Sequence, residues 1–413
     1  MSLRVGLVAG EPSGDLLAAR VMRGIQSQSF GAVCQGIGGP AMQQQGLQTW
    51  HPMHALSVFG YVDAIKRLPS LIRIYNNSKK RWLTDKPDVF VGVDAPDFNL
   101  RLELQLRQAG IPTVHFVGPS IWAWRYERIH KIREAVSHML VLFPFETELY
   151  EKEGVPVTYV GHPLAQTIPM HPDRAAARQY LGIAQDARVL ALMPGSRASE
   201  IRLLTPRFLQ AVQLLQHQDS SLQVLVPVVN AQRRAEFENI LQQHPIKGLR
   251  IIDQADYPIA KVGAGQVGID TEDSFQHLTS RPAAWNVMEA ADAVLVASGT
   301  ATLEAALFKR PMVISYALSP TMRRLMAWKS GQEKPYVPWV GLPNILARDF
   351  VVPELLQDEA TPQALAQATW KALTDQVYTT SLTQRFMEIH HSLLRDTPSL
   401  AAAAILQQVH GAA

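Results

Sequence analysis

Cysteine is almost absent: 413 residues contain one, Cys34. That excludes an internal disulfide and any cysteine-rich metal site, and it fits a reducing cytoplasm. A dominant sign of charge is lacking too, with 39 Lys and Arg against 36 Asp and Glu for a net +3. So small a bias gives no argument for nucleic acid, and any basic partner surface must be local. Long hydrophobic runs are also missing. No uninterrupted apolar stretch reaches about 18 residues, so no segment is expected to span a bilayer, although one could lie on it. The apolar run in MSLRVGLVAGEPSGD is too short for a signal peptide and passes straight into a glycine turn, so it reads as a first strand.

What is present is globular: 47% of residues are apolar and 18% charged. The length exceeds one comfortable core, so two domains are expected. Strand-like runs alternate with helical patterns, first in RVGLVAG, DVFVGVDAP, PTVHFVGP and HMLVLFP, then in RVLALMP, LQVLVPV, GLRIID, AVLVASGT and PMVISYA. Val-rich strands between amphipathic helices predict parallel sheets covered on both faces, with ligands outside the carboxyl ends of the strands. The fold class is therefore α/β, in two Rossmann-like halves. Pro163, Pro169 and Pro172 mark the join. The expected division is 1–170, 171–352 and 353–413, the last being helices that pack across the domains with no further strand. Residues 254–281, rich in glycine and polar side chains, read as an exposed insertion.

The strand-end loops carry the chemistry. AGEPSGD sets Glu11 and Asp15 at the end of the first strand. Its spacing is not G-x-G-x-x-G, and two carboxylates would repel a pyrophosphate, so a neutral or positively polarised group is the better neighbour. Asp15 equally fits a helix start. In GVDAPDFN, Asp94 and Asp97 lie past a strongly apolar strand, with Pro96 fixing the turn. A carboxylate there suits taking a proton from a sugar hydroxyl; an Asx turn or helix cap fits Asp97 as well. GPSIWAWRYERIHKI brings Trp122 and Trp124 beside Arg125, a combination suited to a phosphorylated, partly apolar ligand or simply to buried tryptophans at a domain face.

In the second half, LMPGSRASEI offers Gly195, Ser196 and Arg197 at a strand-to-helix turn, with Glu200 as a cap partner. Free N–H groups and a guanidinium suit a phosphate or the charge on a diphosphate leaving group. ASGTATLEA repeats the device with Ser298, Gly299 and Thr300, and Glu304 follows about one turn on, where it could accept the hydroxyls of a ribose. Capping by Ser298 or Thr300 is the plainer use of the same turn.

AGEPSGD, GVDAPDFN, GPSIWAWR, PFE, GHPLA, PGSRASEI, ASGTATLEA and LPNILA stand in the order found in lipid-A-disaccharide synthases, which the chain resembles over most of both halves and the tail. The resemblance implies a GT-B fold, two Rossmann-like domains facing across a cleft, and metal-independent, inverting glycosyl transfer without a cofactor. UDP-2,3-diacylglucosamine would be the donor and 2,3-diacylglucosamine 1-phosphate the acceptor, giving UDP and a β-1,6-linked disaccharide. It further implies that Glu11, Asp94, Arg197 and Asn344 are essential, that Gly195, Ser196, Arg197, Ser298, Gly299, Thr300 and Glu304 hold UDP, and that Asp97, Trp122, Trp124 and Arg125 serve the acceptor. Asp94 would take the 6-hydroxyl proton and Glu11 orient the sugar, with Glu11 as base the alternative. A homodimer is what the family suggests, and the insertion at 254–281 exceeds what it needs.

Acylated substrates call for contact with the inner face of the cytoplasmic membrane. In YVDAIKRLPSLIRIYNNSKKRW, Val62, Ile65, Leu68, Leu71 and Ile72 recur at helical spacing among Lys and Arg, as an interfacial helix requires; a core-facing helix with a kink at Pro69 is the other reading. Another GT-B transferase or a UDP-sugar epimerase would share the second-half turns but not GPSIWAWR or the amphipathic stretch. A non-catalytic lipid-binding protein would need only that stretch.

Overall fold

The computed structural model describes residues 2–56, 61–256, 278, 281–319, 322, 324 and 336–411, with backbone alone over 61–67. The chain divides into two compact units, Met1–Gln166 with Ser392–Ala413, and Thr167–His391.

In the first unit the strands are β1 (Arg4–Ala9), β2 (Val33–Gly38), β3 (Gln48–Pro52), β4 (Val89–Val93), β5 (Thr113–Phe116), β6 (His138–Val141) and β7 (Val157–Tyr159). They pair in parallel in the order β3-β2-β1-β4-β5-β6-β7. Every residue of β4 is buried, the pattern of a strand covered on both faces. Val5, Leu7 and Ala9 pack with Val89, Val91 and Val93 into one core. The helix Pro12–Gln28 and the final helix Thr397–His410 cover that face; Met22, Ile25, Ala402 and Ile405 enter the same cluster. The two helices approach closely at Gly24, where an added Cβ would lie 2.2 Å from the Pro398 carbonyl.

In the second unit β8 (Val189–Met193), β9 (Gln223–Val228), β10 (Leu249–Asp253), β11 (Ala293–Ala297), β12 (Met312–Tyr316) and β13 (Glu354–Leu356) run parallel in the order β10-β9-β8-β11-β12-β13. Leu190, Leu192, Val224, Leu295 and Val313 meet the helix Ala198–Gln218 through Leu204, Phe208 and Leu215.

Four strands differ from the sequence expectation. β2, β3, β7 and β13 read poorly as strands because glutamine and glycine interrupt them or because they are only three residues long. β13 corrects the expectation that no strand follows Pro353: it lies at the sheet edge, half-buried, paired to β12. Of the helices expected to cross back after 353, Thr397–His410 lies in the first unit, whereas Pro362–Thr374 packs Leu365, Ala366 and Ala372 into the second core. The segment 254–281 is described only at 254–256, 278 and 281.

Strand order reverses at β1/β4 in the first unit and at β8/β11 in the second. Successive crossovers there turn to opposite sides, opening a crevice at the carboxyl ends of those strands.

Candidate active site

Glu11 and Asp94 fall on the two loops that part at the first reversal. Ala9 is in register with Val93, so both loops leave the sheet side by side, and a Cβ on Gly10 would stand 3.0 Å from that of Ala95. Glu11 is exposed at the start of the Pro12–Gln28 helix. Asp94 and Ala95 both take left-handed backbone, φ 53° and 43°, which costs non-glycine residues about 1 kcal/mol or more each. Neighbours hold them there. The Asp94 N–H donates to the Phe116 carbonyl at 2.8 Å, extending the ladder one residue past β4, and the Ala95 N–H donates to Asp94 Oδ1 at 2.8 Å. From below, buried Asn99 donates Nδ2 to the Asp94 and Val93 carbonyls at 2.8 and 3.3 Å. Strain held this firmly fixes where the Asp94 carboxylate stands.

Asp15 serves its own unit instead. It is 4% exposed, and its carboxylate accepts from the N–H groups of Gly39, Ala41 and Met42 at 2.8 to 3.1 Å, capping the short helix Pro40–Gln44. Asp97 is corrected as an Asx turn or cap: Ala95 stands at the N-cap of the Pro96–Gln108 helix, and the Asp97 carboxylate, 92% exposed, accepts from Arg128 at 2.5 Å. The two aspartates of GVDAPDFN therefore have separate partners. Trp122 and Trp124 are half-buried rather than inside the core. Trp122 meets Phe145 edge-on at 5.4 Å; Phe145 stacks on Phe143, and Phe143 on His162. This aromatic row borders the loop on which exposed Arg125 sits with φ 57°.

In the second unit, Arg197 and Ser298 follow the adjoining strands β8 and β11, paired through Met193 and Val296. The helix start after β8 is not free: Glu200 is the cap partner, as expected, and only the expectation of free N–H groups is corrected. The Ser196 and Arg197 N–H groups both donate to Glu200 Oε2, at 3.0 and 3.1 Å. Gly195, at φ 120°, has no room for a Cβ, which would meet Glu200 at 2.5 Å. What this turn offers an anion is the guanidinium: Arg197 touches Glu200 Oε1 at 3.0 Å but is 79% exposed.

The start after β11 differs. Gly299 is the N-cap of the Thr300–Leu307 helix, at φ 155°, and no side chain caps it; neither Ser298 nor Thr300 plays that part. Its first N–H groups face outward with the positive end of the helix dipole. Ser298 instead points its hydroxyl at the Val340 carbonyl, 3.5 Å away. Glu304, one turn on, is half-buried and takes a hydrogen bond from Trp285; burial pushes its carboxyl up to about 6.

Asn344 is 0% exposed in the short helix Leu342–Ala347. Its Nδ2 donates to the Val352 carbonyl and Glu354 Oε1 at 2.9 and 2.8 Å, and its Oδ1 accepts from Val352. Glu354 also accepts from the N–H groups of Val340 and Gly341, so Asn344 fixes the strap under Ser298. Sequence reasoning missed Glu354, Asn99 and Trp285. The first stands on an edge strand of three residues, Asn99 reads as an ordinary residue of the helix after Asp94, and Trp285 reaches Glu304 from a separate helix.

The helix Tyr61–Thr84 runs through Pro69. Ile74 and Trp82 turn into the protein, and Tyr75 donates to the Arg101 carbonyl. Leu68 and Ile72 stay outside, 52% and 51% exposed, while Leu71 is half-buried. The side chains of Val62 and Ile65 lie outside the described residues. Among the described residues no helix is long and apolar enough to cross a membrane.

Two open parallel sheets with candidate residues at both reversals define a GT-B-type α/β protein. A solved structure of the same fold is UDP-GlcNAc 2-epimerase from Neisseria meningitidis bound to UDP-GlcNAc, with TM-score 0.60 over 100% of both chains at 9% identity. The family profile described as lipid-A-disaccharide synthetase matches residues 5–260 and 265–405, so within the glycine-rich segment it breaks only at 261–264. Lipid-A-disaccharide synthases of Bordetella petrii and Bordetella pertussis are 68% and 66% identical over 413 residues, covering 100% of each chain. The chain belongs to the lipid-A-disaccharide synthase family, and so to the glycosyltransferases of lipid A biosynthesis.

Proposed function

We propose that this enzyme moves a 2,3-diacylglucosaminyl group from its UDP ester to the 6-hydroxyl of 2,3-diacylglucosamine 1-phosphate. The acceptor oxygen attacks the anomeric carbon from the side opposite UDP. Its O–H proton passes to the Asp94 carboxylate, and the bond from C1 to the diphosphate breaks with its electrons going to UDP, inverting the centre. Glu11, on the adjoining loop, orients the sugar. Arg197 and the N–H groups at Gly299 and Thr300 take the charge developing on UDP in the place of a metal, while Glu304 accepts from the ribose hydroxyls. Trp122, Trp124 and Arg125 receive the acceptor, with Asp97 placing Arg128 beside them. Asn344 is a positioning residue.

The observation that carries this reading is the uncapped helix start at Gly299, on the strand next to the one that presents an exposed Arg197. Leu68 and Ile72, exposed among cations, are proposed to meet the inner face of the membrane. Both parts are tested by supplying donor and acceptor in anionic vesicles with EDTA present. UDP and a β-1,6 disaccharide are expected only when both substrates are there, and turnover should fall several-fold in the Leu68→Ser, Ile72→Ser double variant but recover in detergent. UDP release without acceptor would reject the transfer; unchanged vesicle turnover of the variant would reject the membrane contact.

Glu304 gives the site a pH dependence. Its raised carboxyl is protonated below about 6, and ribose hydroxyls bind its ionised form better. Affinity for a UDP-sugar, whose diphosphate has no proton to lose in this range, should rise with pH through about 6 and level off above. Calorimetry at pH 5 to 8 checks this: Glu304→Gln should bind weakly and without that slope, and an identical slope in the variant would remove Glu304 from the ribose.

A further inference from the structure

The second unit has a second polar hollow, of about 810 Å³, at the end of its sheet away from Arg197 and Ser298. It is bordered by residues just before the strands: Arg188 before β8, Asp292 before β11, and Arg310 before β12. The five residues of β8 separate it from the Gly195 turn by roughly 16 Å at about 3.3 Å per residue. The volume is that of a small-molecule site.

Its charges are not balanced from within. Arg174, Arg178, Arg188, Lys309 and Arg310 line it against Asp186, Asp219 and Asp292. Asp292 is shared by Arg174 and Arg178, at 2.6 and 2.9 Å, and also accepts from the Val189 N–H. Asp219 is taken by Arg188 and Ser221. Lys309 turns away, donating Nζ to the Leu307 carbonyl and meeting His390 Nδ1. That leaves Arg310. Its Nε is buried with no hydrogen-bond partner, and among the described residues its guanidinium forms no ion pair. Burial first, and then Arg174 beside it, push it down to about 10, against the opposing pull of the Glu289 and Asp292 carboxylates nearby. Arg310 as a whole is half-buried, but an N–H buried without an acceptor, as at its Nε, is costly. Arg174 and Arg188, 48% and 39% exposed, leave further donors facing the hollow.

We infer that this hollow binds a phosphate-bearing small molecule, with Arg310 at its floor and Arg174 and Arg188 at its rim. The guanidinium fork matches phosphate oxygens, and three such forks around one polar space favour a multi-oxygen anion over chloride. The ligand is either a free phosphate anion or a small phosphate ester.

The test is calorimetric titration of the whole protein, in metal-free buffer with UDP saturating, by inorganic pyrophosphate and in parallel by glucose 1-phosphate. One equivalent of either should still bind, and the tighter of the two identifies the source as free anion or ester. Arg310→Gln should weaken that binding about 10- to 100-fold, the range that follows from losing a charge-assisted hydrogen bond, while UDP affinity stays unchanged. Arg188→Gln, at the rim, gives a second variant that keeps the interior intact and should weaken binding about tenfold. Binding of neither probe under saturating UDP, or equal affinity in wild type and both variants, would overturn the site.

Discussion

Asp94→Asn is expected to lower kcat by about 10²- to 10⁴-fold, the range ascribed to a general base. Asparagine keeps the shape of the side chain, can still accept the Ala95 N–H, and tolerates left-handed backbone, so the turn held by Phe116 and Asn99 should survive. What is lost is the carboxylate proposed to receive the 6-hydroxyl proton. Circular dichroism and melting temperature should match the wild type, and so should the affinity for UDP. Steady-state kinetics with donor and acceptor saturating measure the effect. Turnover within a few-fold of wild type would remove Asp94 as the base and make Glu11, on the neighbouring loop, the next residue to replace.

The second large effect belongs to Arg197. Arg197→Gln should lower kcat/KM by about 10²- to 10³-fold, as removal of one preorganised donor to a developing anion does elsewhere. Unlike the loss at Asp94, this one includes nucleotide affinity. Folding should be unaffected, because Glu200 caps the helix through the backbone N–H groups of Ser196 and Arg197, which the substitution leaves in place. A variant with unchanged UDP affinity and turnover would leave the diphosphate to the Gly299 start alone.

The fold class was legible because long buried strands such as VFVGV and AVLVA carry an unmistakable apolar pattern. Edge strands were not: β13 has three half-buried residues, and nothing in Glu-Leu-Leu separates them from a loop until β12 pairs with them. Strand order is also silent in a sequence. That Glu11 and Asp94 flank one reversal, and Arg197 and Ser298 the other, depends on β4 inserting beside β1 and β11 beside β8. The two similar turns PGSRASE and ASGTATLE diverge for a reason three residues on. Glu200 reaches back to close the first helix start, whereas the second has Thr302 at that position, whose hydroxyl donates to the Gly299 carbonyl and leaves the start open. Asn344 shows the opposite limit: a motif can mark a residue without telling that its amide is spent on Val352 and Glu354.

In the proposed function the labour is divided between the units, with the nucleotide held at the second reversal and the proton received at the first. Calorimetric titration of UDP into wild type, Asp94→Asn and Arg197→Gln tests that division most directly. Equal dissociation constants for wild type and Asp94→Asn, with at least about tenfold weaker binding by Arg197→Gln, are predicted; loss of UDP affinity in Asp94→Asn, or its retention in Arg197→Gln, would contradict it.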